Sequence, residues 1–128
     1  MSTFDTSALV PVYARRHPRR AEAVQAFEQA DEVVVHPCVL AEFSGVMRRL
    51  AKDEGHDGNA VARRAVQELL AQPRVVVRSD VDHDQAVAKY LGDHALSFTD
   101  AVIVCAQDAV AFDEGIWRAR AAHVGGPA

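Results

Sequence analysis

The sequence predicts an α/β fold, a three-layer α/β/α sandwich around a mostly parallel sheet. Two observations carry this. Short valine runs, Val33-Val34-Val35 and Val75-Val76-Val77, read as strands and alternate with stretches of helical apolar spacing. Acids also sit where strands end or helices begin, at Asp5, Glu42, Asp100 and Asp113. In open parallel sheets, ligands bind beyond the carboxyl ends of the strands.

In chain order, Thr3-Phe4-Asp5 reads as the end of a short first strand, and Ser7 as the cap of a helix beginning Ala8–Tyr13. Pro18 suits the first turn of a second helix running to about Ala30, with Ala21, Val24 and Phe27 at helical spacing. Val33–Val35 is expected to be a buried strand. Pro37 opens a helix whose stripe is Val39, Leu40, Phe43, Val46, Met47 and Leu50. The segment 53–58 breaks it. Val61, Ala65, Val66, Leu69 and Leu70 mark the next helix, which Pro73 stops.

Val75–Val77 is expected to be another buried strand. Ser79 and Asp82 have capping-box spacing, and Val87, Tyr90 and Leu91 are expected to face inward on the helix after them. Ser97 and Asp100 repeat that spacing ahead of the apolar run 101–106, which the cap signal assigns to a central helix. Residues 109–112 are expected to form a last strand, and Ile116 and Trp117 to begin a terminal helix. Residues 1–124 are expected to form one domain, and 125–128 a frayed tail.

The 128 residues suit one core, and the hydrophobic fraction of 49% is ordinary for a soluble globular protein. No run approaches the roughly 20 apolar residues of a membrane span, and the N-terminus lacks the pattern of a signal peptide. Cys38 and Cys105 read as reduced core residues of a cytoplasmic protein. The net charge is −4, yet without the four candidate acids the remaining Asp and Glu would equal the 14 Lys and Arg. The basic residues cluster, most densely at Arg15, Arg16, Arg19 and Arg20, a spacing that suits flanking phosphates or a solvated helix face.

Asp5, Glu42 and Asp100 each lie among apolar or small residues with no Lys or Arg beside them. A partly buried carboxylate needs a counter-charge, and a hard divalent cation such as Mg²⁺ or Mn²⁺ supplies one to oxygen ligands. Helix capping is the competing account of Asp5 and Asp100, a turn that of Asp113, and an ion pair with Arg49 or another base that of Glu42. Glu42 lies on the flank of its helix stripe, about 100° from its centre. The six histidines and two cysteines show no zinc spacing, and neither GxGxxG, GxxxxGK[ST] nor GxSxG occurs.

The chain resembles the PIN-domain ribonucleases, specifically the VapC-like toxins of toxin–antitoxin pairs. Phe4-Asp5-Thr6-Ser7-Ala8-Leu9 is similar to the family's opening strand and acid, Val39-Leu40-Ala41-Glu42-Phe43 to its second motif, and Leu96-Ser97-Phe98-Thr99-Asp100-Ala101-Val102-Ile103 to its third. The fourth motif departs from the family pattern. Its turn is shortened and Ala111 stands at the usual threonine position, so that Asp113, Asp108 or Glu114 is the fourth acid, or the site works with three.

The resemblance implies a Mg²⁺- or Mn²⁺-dependent endoribonuclease. Asp5 and Asp100 would be its principal ligands, Glu42 a further ligand or the holder of a water, and Asp113 the completing acid. Thr6, Ser7 or Thr99 would hydrogen-bond a carboxylate or phosphate, and Arg15, Arg16, Arg19 and Arg20 would meet flanking phosphates. A homodimer and a cognate antitoxin partner are implied as well. Two other classes remain compatible with the residues: a non-catalytic α/β interaction module, and a receiver-type phospho-acceptor domain. The receiver reading lacks adjacent acids after the first strand, where Thr6 follows Asp5, and a late lysine beyond Lys89.

Overall fold

The structure, a computed structural model, describes residues 1–124. The expected tail, 125–128, lies outside the described residues. Four strands form one parallel sheet: β1 (Ser2–Phe4), β2 (Val33–Val35), β3 (Val75–Val77) and β4 (Ala109–Val110), in the order β3-β2-β1-β4. The register pairs Thr3 with Val34 on one side and with Ala109 on the other. Among the described residues, seven helices flank the sheet: α1 (Thr6–Tyr13), α2 (Arg20–Gln29), α3 (Pro37–Asp53), α4 (Gly58–Ala71), α5 (His83–Gly92), α6 (Phe98–Cys105) and α7 (Glu114–Val124). The architecture is the three-layer α/β/α sandwich that the strand–helix alternation predicts.

Strand order explains why one end of the sheet is special. From β1 the chain passes through α1 and α2 to β2 on one side. From β3, at that edge, it crosses through α5 and α6 to β4 on the other side of β1. The order therefore reverses between β1 and β4, and a crevice opens beyond their carboxyl ends. Asp5 follows β1 and Asp113 follows β4 across that crevice.

Burial follows position in the sheet. Val33–Val35 are all buried because β2 is paired on both sides. The identical run Val75–Val77 is only half-buried to exposed, since β3 is an edge with a single neighbour. This corrects the expectation of a second buried strand: a valine run registers β propensity, not place in the sheet. In α3 the fully buried stripe is Val39, Phe43, Met47 and Ala51, with Leu40, Val46 and Leu50 packed at its sides. Phe4 meets Phe27 edge-on at 6.0 Å in the core under β1.

Several helix starts differ from their expected caps. Asp5, not Ser7, caps α1, and α2 begins at Arg20, after the turn that holds Pro18. On α2 the buried residues are Ala23 and Phe27, while Ala21 is exposed. His36 Nδ1 accepts from the Cys38 backbone ahead of Pro37 and so caps α3. Asp82 alone caps α5, and Ser79 takes no part. On α5 the buried residue is Ala86. Leu91 is 69% exposed, and the exposed Tyr90 packs edge-on against Phe98. The capping box of α6 is complete: Asp100 N–H donates to Ser97 Oγ, and Ser97 N–H to Asp100 Oδ2. Cys38 and Cys105 are free thiols, half-buried rather than core.

A candidate acidic active site at the reversal of strand order

Asp5, Thr6, Ser7, Glu42, Asp100 and Asp113 all line one cavity of about 340 Å³ beyond the carboxyl ends of β1 and β4. All four acids singled out in the sequence share this space. Asp5 arrives on the end of β1, Glu42 on the flank of α3, Asp100 on the first turn of α6, and Asp113 on the loop between β4 and α7.

Asp5 is the most buried of the four, only 3% exposed. Its Oδ2 accepts from the Ser7 backbone at 3.1 Å and from the Ser7 hydroxyl at 2.6 Å. Ser7 Oγ in turn accepts from Phe112 N–H at 2.8 Å. Among the described residues, Asp5 Oδ1 is buried with no hydrogen-bond partner, and the neighbouring Thr6 Oγ1 is the same. Burial pushes the Asp5 carboxyl above the ordinary carboxylate range. The Ser7 hydrogen bonds pull it down only in part, and the Glu42 charge raises it further.

Asp100 and Asp113 are divided in the same way as Asp5. One oxygen of each serves the local backbone: Asp100 Oδ2 closes the capping box, while Asp113 Oδ1 accepts from Gly115 N–H at 2.8 Å and Ile116 N–H at 3.2 Å. The competing accounts of these residues as caps are therefore true, and they leave the second oxygen of each carboxylate uncommitted. Among the described residues, Glu42 forms no ion pair with Arg49. Of the alternatives for the fourth acid, Asp108 accepts from Ser2 Oγ and lies off this cavity, and exposed Glu114 faces Arg118 at 3.7 Å. Asp113 is the one that lines the cavity.

Among the described residues, no three His, Cys, Asp or Glu side chains stand together as a closed ligand set. The acids line one cavity without forming such a set. Their chemistry fits a hard divalent ion nonetheless. The donors are all oxygen, and Asp5 Oδ1 is a buried acceptor that lacks a donor, a costly arrangement that a cation relieves.

The cavity also holds residues that were not singled out as a group. His17 and Arg19, from the loop between α1 and α2, form part of its lining, as do Val10, Pro11, Val46 and Phe112. His17 Nδ1 accepts from Arg19 N–H at 3.1 Å, which places the proton of the neutral ring on Nε2. Arg15 and Arg16, from the same basic cluster, are exposed and lie off the cavity. Local pattern treats Arg15, Arg16, Arg19 and Arg20 as one cluster. Only the path of the loop shows which of these cations reaches the acids.

The comparisons agree with this geometry. The PIN domain profile matches residues 3–112. No curated protein matches the chain in sequence. The fold is similar to the crystal structure of Mycobacterium tuberculosis VapC20, a sarcin-ricin loop cleaving toxin, with a TM-score of 0.72 and 22% identity over 93% of this chain and 95% of that one. With a profile match spanning β1 to β4 and all three of the motifs that first suggested it, the chain belongs to the PIN-domain family.

Proposed function

We propose that this protein is an endoribonuclease of the VapC-like toxin kind, whose cavity acids hold Mg²⁺ or Mn²⁺. The observation that carries the proposal is Asp5 Oδ1, a buried carboxylate oxygen without a donor, on a cavity shared with Glu42, Asp100 and Asp113. When bound, such an ion supplies positive charge to the phosphate oxygens and makes a water more acidic.

The chain's own residues do the rest. Asp5 Oδ1 and the uncommitted oxygens of Asp100 and Asp113 would hold the ion. Their other oxygens are fixed by Ser7, by the capping box and by the α7 cap, so each carboxylate is oriented before substrate arrives. Glu42, on the rigid α3, orients the attacking water and accepts its proton. Thr6 Oγ1 is free to donate to a ligand carboxylate or to phosphate. His17 Nε2–H brings a donor to the cavity wall, and Arg19 lines the same wall. Exposed Arg15 and Arg16 meet the RNA backbone beyond it.

RNA is thus the proposed substrate and the cytoplasm the proposed compartment. Among the described residues, no helix is long and apolar enough to cross a membrane. A cognate antitoxin and a homodimeric state belong to the same proposal, through the resemblance of the sequence motifs to those of VapC-like toxins.

The test is cleavage of a mixed RNA pool with Mg²⁺ or Mn²⁺ and with chelator, by the wild type and by Asp5→Asn and Asp100→Asn. Cleavage that requires the ion and is lost by about 10²-fold or more in both folded variants supports the proposal. Ion-independent cleavage, or full activity in either variant, refutes it.

A further inference from the structure

Resting on that nuclease reading, we infer that Arg19 and Phe112 form a seat on which an unpaired nucleobase next to the scissile phosphate stacks. Both residues line the cavity that holds the acids. The Arg19 guanidinium lies over the Phe112 ring, 4.3 Å from its centroid. Its plane is pinned at both terminal nitrogens. One donates to the Phe112 carbonyl at 3.1 Å and the other to Glu22 Oε2 at 2.9 Å. The Arg19 backbone is itself held by His17 Nδ1.

One face of the guanidinium is thus covered by an aromatic ring, and its edge is engaged. The side chain is still 43% exposed and lines the cavity, so a base has access to it. Glu22 also offsets the charge, which weakens Arg19 as a phosphate hook and leaves the flat face as its main offering. A planar, fixed, delocalised cation is a stacking surface for a base. Phe112 directly precedes Asp113, and its N–H reaches Asp5 through Ser7, so the seat is tied to two of the acids. A base stacked there sits next to the reacting phosphate, which makes Arg19 a substrate-positioning residue. The expected substrate is therefore single-stranded or has a splayed-out base at the cut.

The probe is a single-stranded RNA oligonucleotide spanning a cleavage site mapped from the pool, together with a series carrying one abasic nucleotide at successive positions. With Mn²⁺ and wild-type protein, one position flanking the cut should raise KM about 5- to 150-fold, the usual range for losing one stacked base, with little change in kcat. Arg19→Lys keeps the charge without the plane, and should bind intact and abasic oligonucleotides with nearly equal KM. A wild type indifferent to abasic nucleotides at every flanking position overturns the seat while leaving the nuclease intact. Undiminished base dependence in folded Arg19→Lys overturns it as well. Should the variant fail to fold, the wild-type series alone decides. Absence of any cleavage by the wild type overturns the nuclease reading, and the seat with it.

Discussion

The Ser7 hydroxyl lies 2.6 Å from Asp5 Oδ2 and accepts from the Phe112 backbone, so one small side chain ties the acid after β1 to the loop after β4. It joins the two sides of the crevice where the strand order reverses. Ser7→Ala leaves Phe112 N–H without its partner and removes a donor from Asp5. The expected loss of stability is about 1–3 kcal/mol, measured by urea unfolding. Because the Ser7 hydrogen bonds pull the Asp5 carboxyl down, the variant's carboxyl moves further up. The acidic limb of the activity–pH profile should shift to higher pH. An unmoved limb would show that Asp5 does not govern it.

Asp5 itself is a burden on the fold at neutral pH without divalent ions. Its folded-state pKa is raised above the ordinary value, chiefly by burial. The stability linked to this group is therefore fully present below the ordinary carboxylate pKa, and it is lost as pH rises through the raised one. Asp5→Asn removes that loss. In chelator the variant should unfold at higher urea than the wild type at neutral pH, and the gap should close towards acid pH. A variant less stable than the wild type at neutral pH, with an unchanged pH slope, would contradict this.

Arg120 anchors the far end of the helix that Asp100 opens. Its Nη1 donates to the carbonyls of Ile103, Val104 and Ala106, at the end of α6. Arg120→Ala frees these terminal acceptors and should cost about 1–3 kcal/mol in thermal or urea unfolding. Arg118→Ala is the matched control. Arg118 is 82% exposed and only 3.7 Å from Glu114, so its loss should cost less than about 1 kcal/mol. Equal effects from the two would refute the capping role.

Much of this was legible in the residues themselves. Asp5, Glu42 and Asp100 stand out because apolar neighbours surround an acid, and the Ser97–Asp100 capping box reads directly into its two hydrogen bonds. Other features were not local. The valines of β2 and β3 are identical in sequence and differ in burial because only β2 has two neighbours. Tyr90 and Leu91 fit an inward stripe, yet they lie at the exposed end of a helix whose buried contact is small Ala86. His17 and Arg19 reach the cavity through the course of the α1–α2 loop, while Arg15 and Arg16, four and three residues before Arg19, do not. No periodicity encodes that path. Arg120, too, has its carbonyl partners 14 to 17 residues away, beyond any helical spacing.

The central claim is that separate carboxylates around one cavity act together on a divalent ion, and calorimetric titration with Mn²⁺ tests it most directly. Wild-type protein should take up the ion with protons released at mildly acid pH, because the raised Asp5 carboxyl must ionise to bind it. Asp5→Asn should lose most of the binding heat while remaining folded. Equal uptake by the two proteins, or none by the wild type, would contradict the account.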